Sequence, residues 1–234
     1  MPAKLKFKLC SYNKCRKVLH GPYAYSRKFC DSTCRDHHHK TLSRKNGGTW
    51  DIERAREVLS QSWKGASDCG KYRYRLHRFL NKENGIRLLI DGRVGSVTTC
   101  LFIMLNPSTA DGETDDPTIR RCMGYASKWR YDMLDVVNLF SYRSTDSKVL
   151  INPSFDCWGP EHWEYFMASV AMADLVVCGW GSHPWAQDVA KDAIRRIKEL
   201  GKTPLCLKKN ANGSPAHPLY LKGDLLPIPL DSEG

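Results

Sequence analysis

The chain has 234 residues, ten cysteines and a net formal charge of +11 at pH 7, with 41% hydrophobic and 26% charged residues. That length suits one large domain or a small module joined to a medium one, and no apolar run nears the roughly 20 residues of a membrane-spanning helix. The opening Met-Pro-Ala-Lys-Leu-Lys-Phe-Lys lacks the apolar stretch of a secretory signal, so the expectation is a cytoplasmic, nucleoid-associated protein whose cysteines are reduced thiols or metal ligands.

The charge is uneven. Residues 1–50 carry twelve Lys/Arg against two Asp/Glu, whereas residues 88–234 carry fifteen against eighteen. A basic block confined to the first third points to a polyanion partner, most simply DNA. Within it, Cys10, Cys15, Cys30 and Cys34 form two close pairs separated by a segment with the turn signal Gly21-Pro22. Two such pairs can set four thiolates around one structural Zn2+. A lysine-rich segment this short would draw its folding energy from the metal, on the order of 10–16 kcal/mol in finger peptides. The stretch from Lys28 to Arg35 resembles one half of treble-clef or zinc-ribbon fingers, although four residues, not two, separate Cys10 from Cys15. His37, His38 and His39 follow, as substitute ligands or as part of a basic helix.

Residues 1–45 are thus expected to form a four-cysteine zinc-finger module, and residues 46–70 a linker and helix, with Ile52, Ala55, Val58 and Leu59 on its apolar face. Residues 71–234 are expected to form an α/β domain. Lys71–Leu80 alternates like a strand, and Ile86–Ile90, between Asn84-Gly85 and Asp91-Gly92, reads as another. Cys100–Leu105 is an unbroken apolar run suited to a strand buried on both faces. It ends at Asn106-Pro107 and is followed by Ser108, Asp111, Asp115 and Asp116. Asp116-Pro117 opens a helix with Ile119, Met123, Ala126 and Trp129 on one face. Met133–Phe140 reads as a strand, Pro160–Met172 as a helix and Leu175–Gly179 as a buried strand. An amphipathic helix carrying Val189, Ala193, Ile194, Ile197 and Leu200 follows, capped by Gly201, before a strand at Pro204–Leu207. This alternation predicts a parallel or mixed sheet between helices.

Polar residues gather at the strand exits: Asn106-Pro107, Asn138, Ser182-His183 and His217-Pro218. In this order, Met104-Leu-Asn-Pro107, Val136-Val-Asn-Leu139, Trp180-Gly-Ser-His183 and His217-Pro-Leu-Tyr-Leu221 resemble the motifs of the uracil-DNA glycosylase superfamily. More closely, they resemble a bacterial and phage family carrying LNPSTAD and HPLYL. The resemblance covers about residues 70–230 and implies a three-layer α/β/α sandwich around a mostly parallel sheet. It departs at Met104 and Ser108, and at Leu219, where the superfamily has serine after His-Pro.

The implied activity is excision of a flipped base from DNA by hydrolysis of its N-glycosidic bond. By resemblance, Asn106 with Pro107 positions the water, and Asn138 reads the base edge. His217 donates to the leaving base, Leu221 wedges the vacated stack, and Ser182 and His183 contact phosphate. Asp111, or else Asp115 or Asp116, would supply a carboxylate base. Ser108, small beside the first motif, leaves room for a C5 substituent, so a modified or damaged pyrimidine is the expected target. Two other readings stay open: an enzyme acting on free nucleotides or bases, and a non-catalytic zinc-finger DNA-binding protein with a degenerate pocket.

Overall fold

A computed structural model describes residues 70–80, 97–108, 114–151 and 156–230, together with Ala55 and Leu59. The four cysteines expected to hold zinc, Cys10, Cys15, Cys30 and Cys34, together with Asp111 and the strand expected at Ile86–Ile90, lie outside the described residues. The chain divides into two compact units, Met1–Thr49 with Asp146–Cys157, and Trp50–Thr145 with Trp158–Gly234. In the first, the described residues form a 3-10 turn at Ser147–Ile151, and the Cys157 thiol donates to the Leu150 carbonyl oxygen at 3.4 Å.

The second unit is α/β, built on a six-stranded mixed sheet. Its elements are β1 (Leu76–Phe79), β2 (Thr99–Met104), α1 (Pro117–Lys128), β3 (Met133–Asn138), α2 (His162–Met172), β4 (Leu175–Cys178), α3 (Gln187–Glu199), β5 (Pro204–Cys206) and β6 (Ile228–Pro229). The strand order is β1-β3-β2-β4-β5-β6. The inner four strands are parallel, while β1 and β6 run antiparallel at the edges. The strand predicted over Lys71–Leu80 is regular only from Leu76; before it, Tyr72 makes an isolated bridge to Tyr142. Strand β6 holds only Ile228 and Pro229, and proline in a strand belongs at an edge because it donates no ladder hydrogen bond.

All six residues of β2 are buried. Cys100, Phe102 and Met104 pack with Ile119, Cys122, Tyr125 and Ala126 of α1 and with Leu134, Val136 and Val177 of the neighbouring strands. On the alternate positions Leu101, Ile103, Val137 and Cys178 are equally buried. Helix α2 packs on β2 and β3, and α3 on β5 and α2. Ala55 and Leu59 are helical, as the apolar spacing predicted, and pack with Ala168, Ala171 and Met172 of α2. Helix α1 starts where expected, with the Asp116 carboxylate accepting from the Ile119 N–H at 2.8 Å and proline at its first position. Helix α3 ends at Gly201, whose φ of +71° suits glycine beyond a helix end.

One polar pair is sealed into this frame. Arg75 Nε lies 2.9 Å from each carboxylate oxygen of Asp135, with both side chains almost wholly buried. Removing one partner of such a pair leaves an uncompensated buried charge, at a cost of about 3–5 kcal/mol.

Next to this pair, burial and then the Arg75 charge push the His77 imidazole down from 6.5 to about 4, against the opposing pull of Asp135. The unfolded ring therefore binds its proton at a higher pH than the folded one, and stability is lost as pH falls from about 6.5 towards about 4. Denaturant titrations across this range are expected to show the fall, and His77→Gln to flatten it; an unchanged slope in the variant would assign the loss to other groups.

Candidate functional site

Chain order places the site. From β2 the chain moves to β3 on one side, then crosses to β4 and β5 on the other. The strand order thus reverses between β2 and β4, and open α/β sheets bind ligands beyond the carboxyl ends of the strands at such a point. Asn106-Pro107 leaves β2 there, Gly179–His183 leaves β4, and Asn138 ends β3 in register with Met104.

The turn bearing His217 is locked to the same edge. A Cβ added at Gly179 would lie 2.9 Å from Pro218 Cδ, closer than real Cβ contacts, and a tight 3.1 Å from Met104 Sδ. Only glycine lets β4, β2 and the 3-10 turn at Pro218–Tyr220 meet this closely. Beyond the turn, α1 holds the chain by its backbone. Arg121 Nη2 donates to the Leu221 carbonyl oxygen at 2.7 Å, Lys128 Nζ to that of Gly223 at 2.8 Å, and the Tyr125 hydroxyl to that of Lys222.

Asn106 is half-buried and works as a clasp. Its Nδ2 donates to the carbonyl oxygens of Pro107 at 3.0 Å and Ser144 at 2.8 Å, while the Ser144 N–H donates back to the Pro107 oxygen at 2.9 Å. Two carbonyl partners identify the atom between them as the nitrogen. The Oδ1 acceptor is left without a partner among the described residues. Asn138 is 3% exposed, and its amide likewise forms no hydrogen bond among the described residues. Pro107 is buried and Ser108 half-buried.

His217 has a defined tautomer. The Leu219 N–H donates to its Nδ1 at 3.3 Å, so the neutral ring carries its proton on Nε2. Burial lowers its pKa below 6.5; Asp116 opposes and His183 adds to the shift. These couplings bring the α1 cap, the β4 loop and the His217 turn into one electrostatic neighbourhood. The His183 imidazole is half-buried and also lowered by burial, with its ring 5.4 Å from that of Trp185. Ser182 is exposed and its Oγ accepts from Asn212 Nδ2 at 2.7 Å.

Other expected site residues have structural work. The Asp115 carboxylate accepts from Arg78 Nε at 2.8 Å, and that of Asp116 caps α1. Leu221, expected to project as a wedge, is half-buried and packs on the core cluster shared with α1. Its neighbour Tyr220 is 82% exposed, with its ring 5.6 Å from that of His217. An aromatic between two leucines looks like ordinary apolar filling in a linear sequence, so nothing there marked it as surface. Asp116 was legible as a cap, but its influence on His217 depends on contact across a hundred residues of chain.

A family model described as "Protein of unknown function (DUF1643)" matches residues 73–219, a span that runs from before β1 to the His217 turn. No curated protein and no solved structure matches the chain.

Gly179→Ala tests the closeness of this edge. Overpacking there is expected to cost about 1–3 kcal/mol of stability in denaturant unfolding and to perturb the His217 ring signals in NMR. Unchanged stability and shifts would mean that the turn is not clamped.

Proposed function

We propose, for a chain that belongs to the DUF1643 family, that its α/β unit is a DNA glycosylase-like enzyme. It flips a modified or damaged pyrimidine out of DNA and hydrolyses the N-glycosidic bond. The observation that carries this reading is the grouping at one sheet edge of two asparagines with open hydrogen-bonding atoms and a neutral histidine of defined tautomer. The two buried faces of β2, with helices packed along the sheet, support the finer description as a three-layer sandwich of the uracil-DNA glycosylase type.

In the proposed reaction a water oxygen bonds to C1′ of the sugar as the bond to the base nitrogen breaks, and the electron pair leaves with the base. Asn106 Oδ1 accepts from that water and orients a lone pair at C1′; with both N–H groups holding backbone, the amide keeps one fixed direction. An amide is too weak a base to take the proton in full, and Asp111 is the carboxylate proposed to receive it. His217 donates from Nε2 to the base oxygen where negative charge develops. The Asn138 amide offers both donor and acceptor to the pyrimidine edge. Half-buried Ser108 leaves space beside C5, and Ser182 and His183 meet the phosphate. Leu221, turned towards the core, does not serve as the wedge in this arrangement; Tyr220 is the side chain exposed enough to stack into the gap.

The basic first third is proposed to hold the DNA. Cys10, Cys15, Cys30 and Cys34 supply an all-thiolate donor set of the kind closed structural zinc sites use.

Duplexes bearing uracil, thymine or C5-substituted pyrimidines, scored for abasic sites and released base, test the activity. Cleavage of a substituted pyrimidine is expected, with His217→Ala slower by about 100-fold. Because burial lowers the His217 pKa, wild-type rates should fall only in the acid range below histidine's ordinary 6.5, where Nδ1 takes a second proton and loses the Leu219 N–H. Absence of abasic sites on every duplex would remove the reading. Metal analysis of the purified chain is expected to return one equivalent of zinc, lost on Cys30→Ser; a value near zero would remove the finger.

A further inference from the structure

The segment that leaves β3 is pinned along its length. The Leu139 and Phe140 N–H groups donate to the Met104 and Leu105 oxygens at 2.9 and 3.0 Å. The Ser144 N–H donates to the Pro107 oxygen at 2.9 Å, and Asn106 Nδ2 to the Ser144 oxygen at 2.8 Å. On its other side the segment runs antiparallel to the residues before β1. Tyr142 bridges Tyr72, the Arg73 N–H donates to the Ser141 oxygen at 2.9 Å, and the Arg143 N–H to the Lys71 oxygen at 2.9 Å.

This pairing sets Lys71 opposite Arg143, and opposed residues of an antiparallel pair present their side chains on one face, where like charges repel. Among the described residues neither the Lys71 ammonium nor the Arg143 guanidinium has a hydrogen-bond or ion-pair partner. Lys71 is exposed, but Arg143 is half-buried and gives up part of its hydration with no acceptor in return. Arg75, Arg78 and Arg121, buried or half-buried like it, engage Asp135, Asp115 and the Leu221 carbonyl oxygen. An anion held by both cations would turn their repulsion into attraction.

We infer that Lys71 and Arg143 bind a phosphodiester of a polynucleotide, on the link next to the nucleotide engaged at Asn106, a reading that rests on the proposed function. Hydrogen bonds tie this pair to Asn106: the peptide after Arg143 lies against the one before Ser108, and the Ser144 oxygen accepts from the Asn106 amide. The guanidinium fork matches two phosphate oxygens, and the ammonium adds a point charge. The strand order puts the two cations on the β3 side of the β2 exit and the Ser182–His183 loop on the β4 side. A nucleotide within a chain carries a phosphate on each side, whereas a free mononucleotide carries phosphate at one end. Phosphate contacts on both sides of one exit therefore select a chain.

The test uses the full chain and a duplex bearing a tetrahydrofuran abasic analogue, which holds no base to excise at that position, with affinity measured over a range of salt. Lys71→Gln/Arg143→Gln is expected to weaken binding about tenfold and to make the log–log salt dependence shallower by about 0.9, for one lost B-DNA phosphate contact. With the repulsion relieved, its melting temperature is expected to equal or exceed that of the wild type. Arg130→Gln removes an exposed cation at the opposite edge of the sheet, before β3, and is expected to bind as the wild type does. Unchanged affinity and slope in the double variant would overturn the inference, as would an equal loss in Arg130→Gln, which would mark a net-charge effect. So would a lower melting temperature without a change of slope, which would make the two cations structural. Competition by thymidine monophosphate that the double variant loses, at an unchanged duplex slope, would assign the pair to a free nucleotide and overturn the chain. Because binding here needs no excision, failure of the excision reading leaves this result standing, and an unaltered slope beside intact excision removes this contact alone.

Discussion

The rest of the second unit depends on the burial of β2. A strand buried on both faces, with a parallel ladder on each edge, cannot move without breaking both ladders and the packing above and below it. Its exit is therefore fixed in space, and the exits of β3 and β4 are fixed relative to it. A catalytic or binding edge needs that kind of rigidity, because groups contributed by separate loops hold useful geometry only if their anchors do not move. The loops at this edge add their own restraints: the Asn106–Ser144 clasp, the Asp116 cap and the Gly179 contact with Pro218.

Much of this frame was legible from residue patterns, and the reason is local. The run Cys100–Leu105, the Asp116-Pro117 start and the 187–199 amphipathic face each follow from short-range chemistry, and the structure has β2, α1 and α3 there. The strand expected from Lys71 was too long because Tyr72 and Tyr74 serve ring packing instead: Tyr74 stacks on Tyr165 of α2 at 5.3 Å, and Tyr72 meets Tyr142 edge-on. Tyrosine alternation mimics a strand wherever the rings end up. Strand β6 was invisible because two residues, one of them proline, carry no period. At the site, the strand exits were readable, but not what each side chain does there. That Leu221 packs on the core cluster depends on apolar partners far away in the chain, on β2 and α1.

Electrostatically, the edge favours neutral imidazoles. His183 and His217 each sit in partly desolvated surroundings, which lowers both; His183 further disfavours protonation of His217, while Asp116 provides a partial counterweight there. A neutral ring held by a backbone N–H on one nitrogen presents a hydrogen-bond donor on the other without bringing a full charge. This suits contact with a group that gains charge during a reaction better than contact with one already charged. Most of the chain's excess positive charge lies in residues 1–50, which carry twelve Lys/Arg against two Asp/Glu.

The tether from α1 to residues 221–223 grips only carbonyl oxygens. Every amino acid supplies that atom, so the grip does not depend on which side chain follows the turn. Lys222 is exposed, and a Cβ at Gly223 would meet only the far ends of Arg121 and Lys128. This border of the molecule can therefore change its chemical character through substitution, trading charge for bulk or polarity, while His217 keeps its orientation.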